Sequence, residues 1–334
     1  MPKIKIGFIG YKGHATRLIK IFSKIKNCEI SHFYHPKKVI DLKQIPINNK
    51  SKLVATRDLK GLYSCDGIII SSPNHTHFGY IKKLIKNYNG YIFCEKPPVS
   101  NFKELNALKK IPDKNKKRIH FNFNMRFGPL YDALKDFPRK YNLGKPISTT
   151  ITVGHGLAFK KSYKSSWRAK KELHKAGVLE TLGIHYFDLM SSLFGLPNNL
   201  YYKAENYSPY GDSIDTSHLS CNFENHCYLS LTCSYCIPLI ENIRIVYTNG
   251  FIEMNTDKIK VFGPRNTFDK DGLFASPPLI FKQSLNNMYL KSLRNSCQYF
   301  INCINDKKAI NLKYFKQSII SNEVCLNLTP IDTY

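Results

Sequence analysis

The sequence predicts an α/β domain with a parallel sheet, followed by an α+β domain whose sheet is mostly antiparallel. Three observations carry that prediction. Apolar strand-like runs alternate with helix-like segments through the first third of the chain, the order that builds a parallel sheet through right-handed crossovers. One of these runs, Gly67 to Ser71, is apolar almost throughout, as a strand covered on both faces must be. From Leu200 onward, short alternating runs set off by turn residues such as Asn249-Gly250 take over, the pattern of hairpins with one solvated face.

In chain order, Ile4 to Ile9 reads as the first strand, Ala15 to Lys26 as a helix and Glu29 to Tyr34 as the second strand. The strand Gly67 to Ser71, the helix His77 to Asn87 and the strand Gly90 to Cys94 follow. After His120-Phe121-Asn122-Phe123-Asn124 the grammar changes, which sets a first domain at residues 1–122 and a second at 123–334. The second opens with a helix from Pro129 to Asp136, an extended run from Ile147 to Val153 and a helix from Gly177 to Leu193. Its sheet is read from Ile214 to Phe223, Cys227 to Tyr235, Asn242 to Tyr247, Phe251 to Asn255 and Lys258 to Phe262. Phe268 to Pro278 is a loop by its Gly and Pro, and Leu285 to Asn305 and Tyr314 to Leu326 return to the helical period.

Composition narrows the class. With 334 residues, 43% of them hydrophobic and 13% aromatic, the chain is too apolar for disorder and long enough for two cores. No apolar run nears the roughly 18 residues that span a bilayer, and Met1 to Gly10 reads as a strand rather than a leader, so the expected setting is the cytoplasm, away from membranes. The net charge of +26 points to anions. Yet the lysines are spread along the whole chain and no nucleic-acid-binding signature accompanies them, so the expected anion is a small molecule rather than nucleic acid. The single C-x-x-C, Cys233 and Cys236, has no second pair at zinc spacing; the ten cysteines are expected as reduced, buried thiols, with no metal.

The chemistry gathers at strand ends. Gly10-Tyr11-Lys12-Gly13-His14-Ala15 follows the first strand and precedes a helix, the place where a dinucleotide's pyrophosphate meets a helix N-terminus. Gly10 and Ala15 fit the ends of G-x-G-x-x-G/A, but Lys12 stands at the middle glycine, and Gly13 is the residue left to let backbone approach phosphate. After the second strand, where a ribose-binding acid is usual, stand His35-Pro36-Lys37-Lys38, which leaves NAD or NADP open. Ser72, Asn74 and His77 follow the strand ending at Ser71, and Glu95-Lys96-Pro97 ends another, both at the carboxyl edge where ligands bind.

Taken together with Asn124-Met125-Arg126-Phe127, Trp167-Arg168 and Gly183-Ile184-His185-Tyr186-Phe187-Asp188, these motifs resemble, in order, the glucose-fructose oxidoreductase and inositol dehydrogenase family, Gfo/Idh/MocA. The run from Ala176 to Asp188 is similar to its UDP-N-acetylglucosamine 3-dehydrogenase members. The resemblance implies a Rossmann domain followed by an α+β domain with a large, open, mostly antiparallel sheet. It implies a nicotinamide cofactor, NAD with NADP possible, and oxidation of the 3-hydroxyl of a nucleotide-linked amino sugar, with a free polyol or keto sugar, or a non-catalytic relative, as alternatives.

By the same resemblance, Lys96 is the acid/base and His185 assists, while Lys96, Arg126, Thr181 and His185 touch substrate. Gly10, Tyr11, Lys12, Gly13, His14, Ala15, His35, Ser72, Asn74, His77, Glu95, Lys96, Asn124, Trp167 and Arg168 line the cofactor. A lysine serves as base once burial and a neighbouring cation lower its pKa. Thr181 stands four residues before His185, one helical turn away, where the family often carries Asp or Asn. Self-association as a homodimer or larger, and an aminotransferase acting on the keto product, are also implied.

Overall fold

The computed structural model describes residues 3–47, 50, 52–265 and 268–328. The chain divides into two units: Met1–Asn124 with Leu293–Glu323, and Met125–Ser292 with Val324–Tyr334. The single boundary expected at 122 is thus only half of the division, because a late segment returns to the first unit.

In the first unit, β1 (Ile4–Ile9), β2 (Cys28–Tyr34), β3 (Val54–Thr56), β4 (Gly67–Ile70), β5 (Tyr91–Cys94) and β6 (Ile119–Phe121) form a parallel sheet ordered β3-β2-β1-β4-β5-β6. The helices α1 (His14–Phe22), α2 (His77–Asn87), α3 (Phe102–Lys109) and α4 (Asp113–Lys116) connect its strands. Strand order reverses between β1 and β4, and ligands of such sheets bind in the crevice this reversal opens at the strands' carboxyl ends. One layer of the core joins Phe8, Phe22, Phe33 and Phe93 to Leu293, Cys297, Phe300 and Ile304. Phe300 meets the rings of Phe93 and Phe22 edge to face, at 5.4 and 6.4 Å. These late residues lie on α7 (Met288–Asn305), so the helix supplies part of the first unit's core.

The second unit opens with α5 (Pro129–Lys140), β7 (Pro146–Gly154) and α6 (Ile184–Phe194). Its sheet adds β8 (Pro197–Glu205), β9 (Thr216–Phe223), β10 (Tyr228–Ser234), β11 (Ile240–Tyr247), β12 (Gly250–Asn255), β13 (Lys258–Phe262) and β14 (Leu279–Ser284), in the order β14-β13-β12-β11-β7-β10-β9-β8. All its pairings are antiparallel except β7 with β10, so the expected sheet is present with one parallel seam. Alternate residues of β9, Ser217, Leu219, Cys221 and Phe223, are buried, which is the period-2 signature of a sheet covered on one face. A last helix, α8, spans Leu312–Asn327. Among the described residues no helix is long and apolar enough to cross a membrane. All ten cysteines are free thiols, and Cys236 is the only one not buried.

Candidate active site

In the first unit the expected residues converge on the carboxyl ends of β1, β2, β4 and β5. Gly10 has φ +96°, and a Cβ there would stand 2.6 Å from the Ser71 carbonyl oxygen, so glycine is what lets the turn after β1 press against the exit of β4. Gly13 caps α1 with φ 60° and ψ −122°, and nothing lies within 4 Å of where its Cβ would be. The turn therefore keeps open space at a helix N-terminus although Lys12 replaces the middle glycine, and no side chain caps that terminus. These residues fit a bound dinucleotide pyrophosphate.

Behind Lys96 runs a buried polar chain. His14 Nε2 and the Glu95 carboxylate lie 3.1 Å apart, and Asn122 Nδ2 donates to the same Glu95 oxygen at 2.7 Å. Ser296 donates to Asn122 Oδ1 at 2.7 Å and lies 2.9 Å from His120 Nε2. Burial alone raises the Glu95 pKa, but the nearby His14, the hydrogen bonds from His14 and Asn122, and Lys96 outweigh it and hold the carboxyl below its ordinary range. Glu95 is thus an anion fixed beside Lys96. His120, Asn122 and Ser296 were not among the expected site residues. The alternation of His120, Asn122 and Asn124, all buried, was the signal for the first two; Ser296 gave none.

His77 is fully buried and ties two loops together: Nδ1 lies 2.8 Å from the Pro97 carbonyl oxygen and Nε2 2.9 Å from that of Ser72. The Lys96–Pro97 peptide between those loops is cis. A neutral ring donates to only one of the two carbonyls, yet burial, the largest influence, holds the His77 pKa below its ordinary value of 6.5. Because this pKa is lower in the fold than in the unfolded chain, the unfolded state takes up the proton first. The stability His77 supplies is therefore complete above about pH 6.5 and is lost as pH falls; Glu95, also depressed, loses its contribution at still lower pH. Thermal denaturation is expected to show a Tm that is level from pH 7.5 to about 6.5 and falls from there to pH 4, and a rise below pH 6.5 would contradict this assignment.

In the second unit, Arg126 pairs bidentately with Asp188, Nε to Oδ2 at 2.6 Å and Nη2 to Oδ1 at 2.5 Å, both side chains almost wholly buried. Arg126, expected at the substrate, is thus a buried partner of the helix that carries His185. His185 lies on the first turn of α6, half-buried. Thr181 does not stand one regular helical turn before it, as expected, because Leu179–Gly183 is a π-helical turn, whose wider ring shifts the register. Gly183 allows the approach of this turn to β10: a Cβ there would meet Cys233 Sγ at 2.7 Å.

Thr181 Oγ1 is hydrogen-bonded to the hydroxyl of Tyr235, which no sequence signal singled out. Burial raises the Tyr235 pKa, against the Arg168 cation and the Thr181 bond, so the phenol stays protonated. His155 stacks on the Tyr235 ring at 5.0 Å. Arg168 lies over the Trp167 ring at 4.4 Å, and its carbonyl accepts from Tyr163 Oη at 2.9 Å. Trp167 and Arg168, expected at the cofactor, belong to this aromatic cluster of the second unit. Asn124, the last residue of the first unit, is buried at the start of the turn Asn124–Phe127.

Two family models match the chain. The one described as the oxidoreductase family with an NAD-binding Rossmann fold covers residues 4–123, and the Gfo/Idh/MocA C-terminal domain covers 131–253. A curated relative, inositol 2-dehydrogenase of Rhizobium meliloti (strain 1021), is 24% identical over 178 residues, 47% of this chain and 51% of the relative. The chain spans about half the length of the curated relatives it matches, or somewhat less. Among solved structures, an oxidoreductase from Thermotoga maritima superposes with TM-score 0.80 at 18% identity, covering 98% of this chain and 96% of the other. A UDP-N-acetylglucosamine 3-dehydrogenase from Acidithiobacillus ferrooxidans superposes with TM-score 0.71 at 15% identity, covering 98% and 97%.

Proposed function

The chain belongs to the Gfo/Idh/MocA oxidoreductases, and from that premise we propose that it oxidises the 3-hydroxyl of a nucleotide-linked amino sugar, of the UDP-N-acetylglucosamine type, to a ketone. The observation that carries the reading is the polar chain from His14 through Glu95 to Asn122, fixed beside the one lysine at the exit of β5.

When bound, a nicotinamide dinucleotide would supply the hydride acceptor for the oxidation. Gly10, Gly13, the N-terminus of α1, Ser72 and Asn74 would hold it. The Lys96 amine accepts the hydroxyl proton and becomes an ammonium, which the neighbouring Glu95 anion stabilises. By the family resemblance His185, on the first turn of α6, assists. Glu95 acts through Lys96 and is a positioning residue. Arg168, spread over Trp167, offers a cation to an anionic part of the substrate such as a diphosphate, and Thr181 with Tyr235 offers neutral hydroxyls to a sugar.

A second reading, oxidation of a free polyol, is favoured by the match to inositol 2-dehydrogenase. The non-catalytic reading rested on Lys12 and Thr181, and both weaken: Gly13 keeps the turn open, and Tyr235 pairs with Thr181. Self-association through the larger sheet's outer side, which exposes Tyr201 and Tyr228, and transfer of the ketone to an aminotransferase, complete the proposal.

The test is absorbance at the reduced-nicotinamide band with UDP-N-acetylglucosamine and either dinucleotide, alongside myo-inositol. Reduction with the nucleotide sugar is the expected result. Reduction with myo-inositol alone would replace the reading by the second; no reduction with any sugar, with dinucleotide binding seen by calorimetry, would overturn both.

A further inference from the structure

We propose that this chain selects the 2′-phosphorylated dinucleotide, NADP, over NAD, and that Lys12, Lys38 and the Nε2–H of His35 hold the additional phosphate. The inference rests on the reading of the first unit as a dinucleotide site and sharpens it.

A doubly wound domain that prefers NAD usually presents a carboxylate at the end of its second strand, an acceptor for the two ribose hydroxyls. Here β2 ends at Tyr34, and His35-Pro36-Lys37-Lys38 follow with no acid among them. His35 is fixed in orientation and in tautomer. Its Nδ1 accepts the backbone N–H groups of Lys37 at 3.1 Å and Lys38 at 3.0 Å, so that nitrogen carries a lone pair and the neutral ring has its proton on Nε2. Burial first, then the charges of Lys38 and Lys12, lower its pKa and keep it in this neutral, singly donating form.

The turn after β1 closes on the same spot. Tyr11 meets the His35 ring edge to face, with centroids 6.3 Å apart, and the Lys12 ammonium lies 5.6 Å from the Tyr11 ring centroid. Lys12, the departure from the glycine fingerprint, thus brings a cation from the first turn toward the residues that end the second strand. Thr56 of β3 pairs with Tyr34, and Arg57 follows it at the same sheet edge. The acid that comes next, Asp58, accepts from the Lys60 backbone N–H at 3.0 Å and caps a short turn.

The edge therefore combines cations with a ring that only donates. An ionised phosphate monoester only accepts and carries up to two negative charges, so it matches this set; a ribose diol, which must also donate, does not. Because Lys12 and Lys38 are exposed, the preference is expected to shrink with added salt.

Calorimetric titration of the full chain at low salt, with NADP⁺ against NAD⁺ and with 2′,5′-ADP against 5′-AMP, tests the assignment without turnover. The 2′-phosphorylated member of each pair is expected to bind at least about tenfold tighter, the scale of one charge-assisted contact. Lys38→Ala should remove several-fold of that advantage while NAD⁺ affinity stays within about twofold, which also reports an intact fold, and adding Lys12→Ala should remove most of what is left. His35→Asp should turn the preference toward NAD⁺. NAD⁺ binding as tightly as NADP⁺ to the unaltered chain would overturn the selectivity and leave the dinucleotide reading standing. Binding of neither would overturn both.

Discussion

Lys96→Met is expected to lower turnover by about 10²- to 10⁴-fold, the usual worth of a positioned acid/base, while leaving dinucleotide affinity within about twofold. Methionine keeps the length and apolar stem of lysine but cannot take a proton. The cofactor turn, built on Gly10, Gly13 and the N-terminus of α1, does not depend on residue 96. Removing the ammonium also leaves Glu95 with the hydrogen-bond partners His14 and Asn122, so the buried chain persists. Single-turnover kinetics with calorimetry of the dinucleotide separates the two effects. His185→Ala, which removes a group that assists, is expected to cost less than Lys96→Met. Full activity in Lys96→Met would reject the assigned base.

Asp188→Ala is expected to destabilise the second unit by about 3–5 kcal/mol, because it leaves the Arg126 guanidinium buried without its bidentate partner. At about 2–4 °C per kcal/mol, Tm should fall by about 6–20 °C. The cost belongs to the stranded charge more than to the bond, so replacing both residues, Arg126→Met with Asp188→Leu, should recover much of the loss. A double variant no more stable than Asp188→Ala would show that the pair contributes through shape instead. Because Asp188 sits three residues beyond His185 on α6, the single variant should also disturb activity at temperatures where the unit remains folded.

How much of this was legible in the sequence follows from where the apolar signal is strong. β1, β4 and β5 are buried runs and were visible as such, and the helix His77–Asn87 was read with its observed bounds. β3 has three residues, two of them exposed, and β8 and β14 lie mostly in solvent, so no periodicity marked them. A π turn at 179–183 uses the same residue types as an α turn; only the packing of Gly183 on Cys233 reveals it. At the site, His14, Glu95 and Lys96 were each recognisable by position, but the pairing of His14 with Glu95 joins residues 81 apart. Tyr235 has no local signature at all: its role comes from a partner 54 residues away. Arg126 was recognisable by its motif, but its bidentate pairing with Asp188, 62 residues away, has no local signature.

The return of residues 293–323 to the first unit has a bearing on how the protein is made. A ribosome delivers the parallel sheet early, but Leu293, Phe300 and Ile304, which complete one layer of its core, emerge long after it. At about 5–20 residues per second, the sheet waits on the order of ten seconds or more with that layer uncovered. Nascent chains stalled before residue 293 should accordingly engage chaperones and be cut readily by protease, and release of the completed chain should end both.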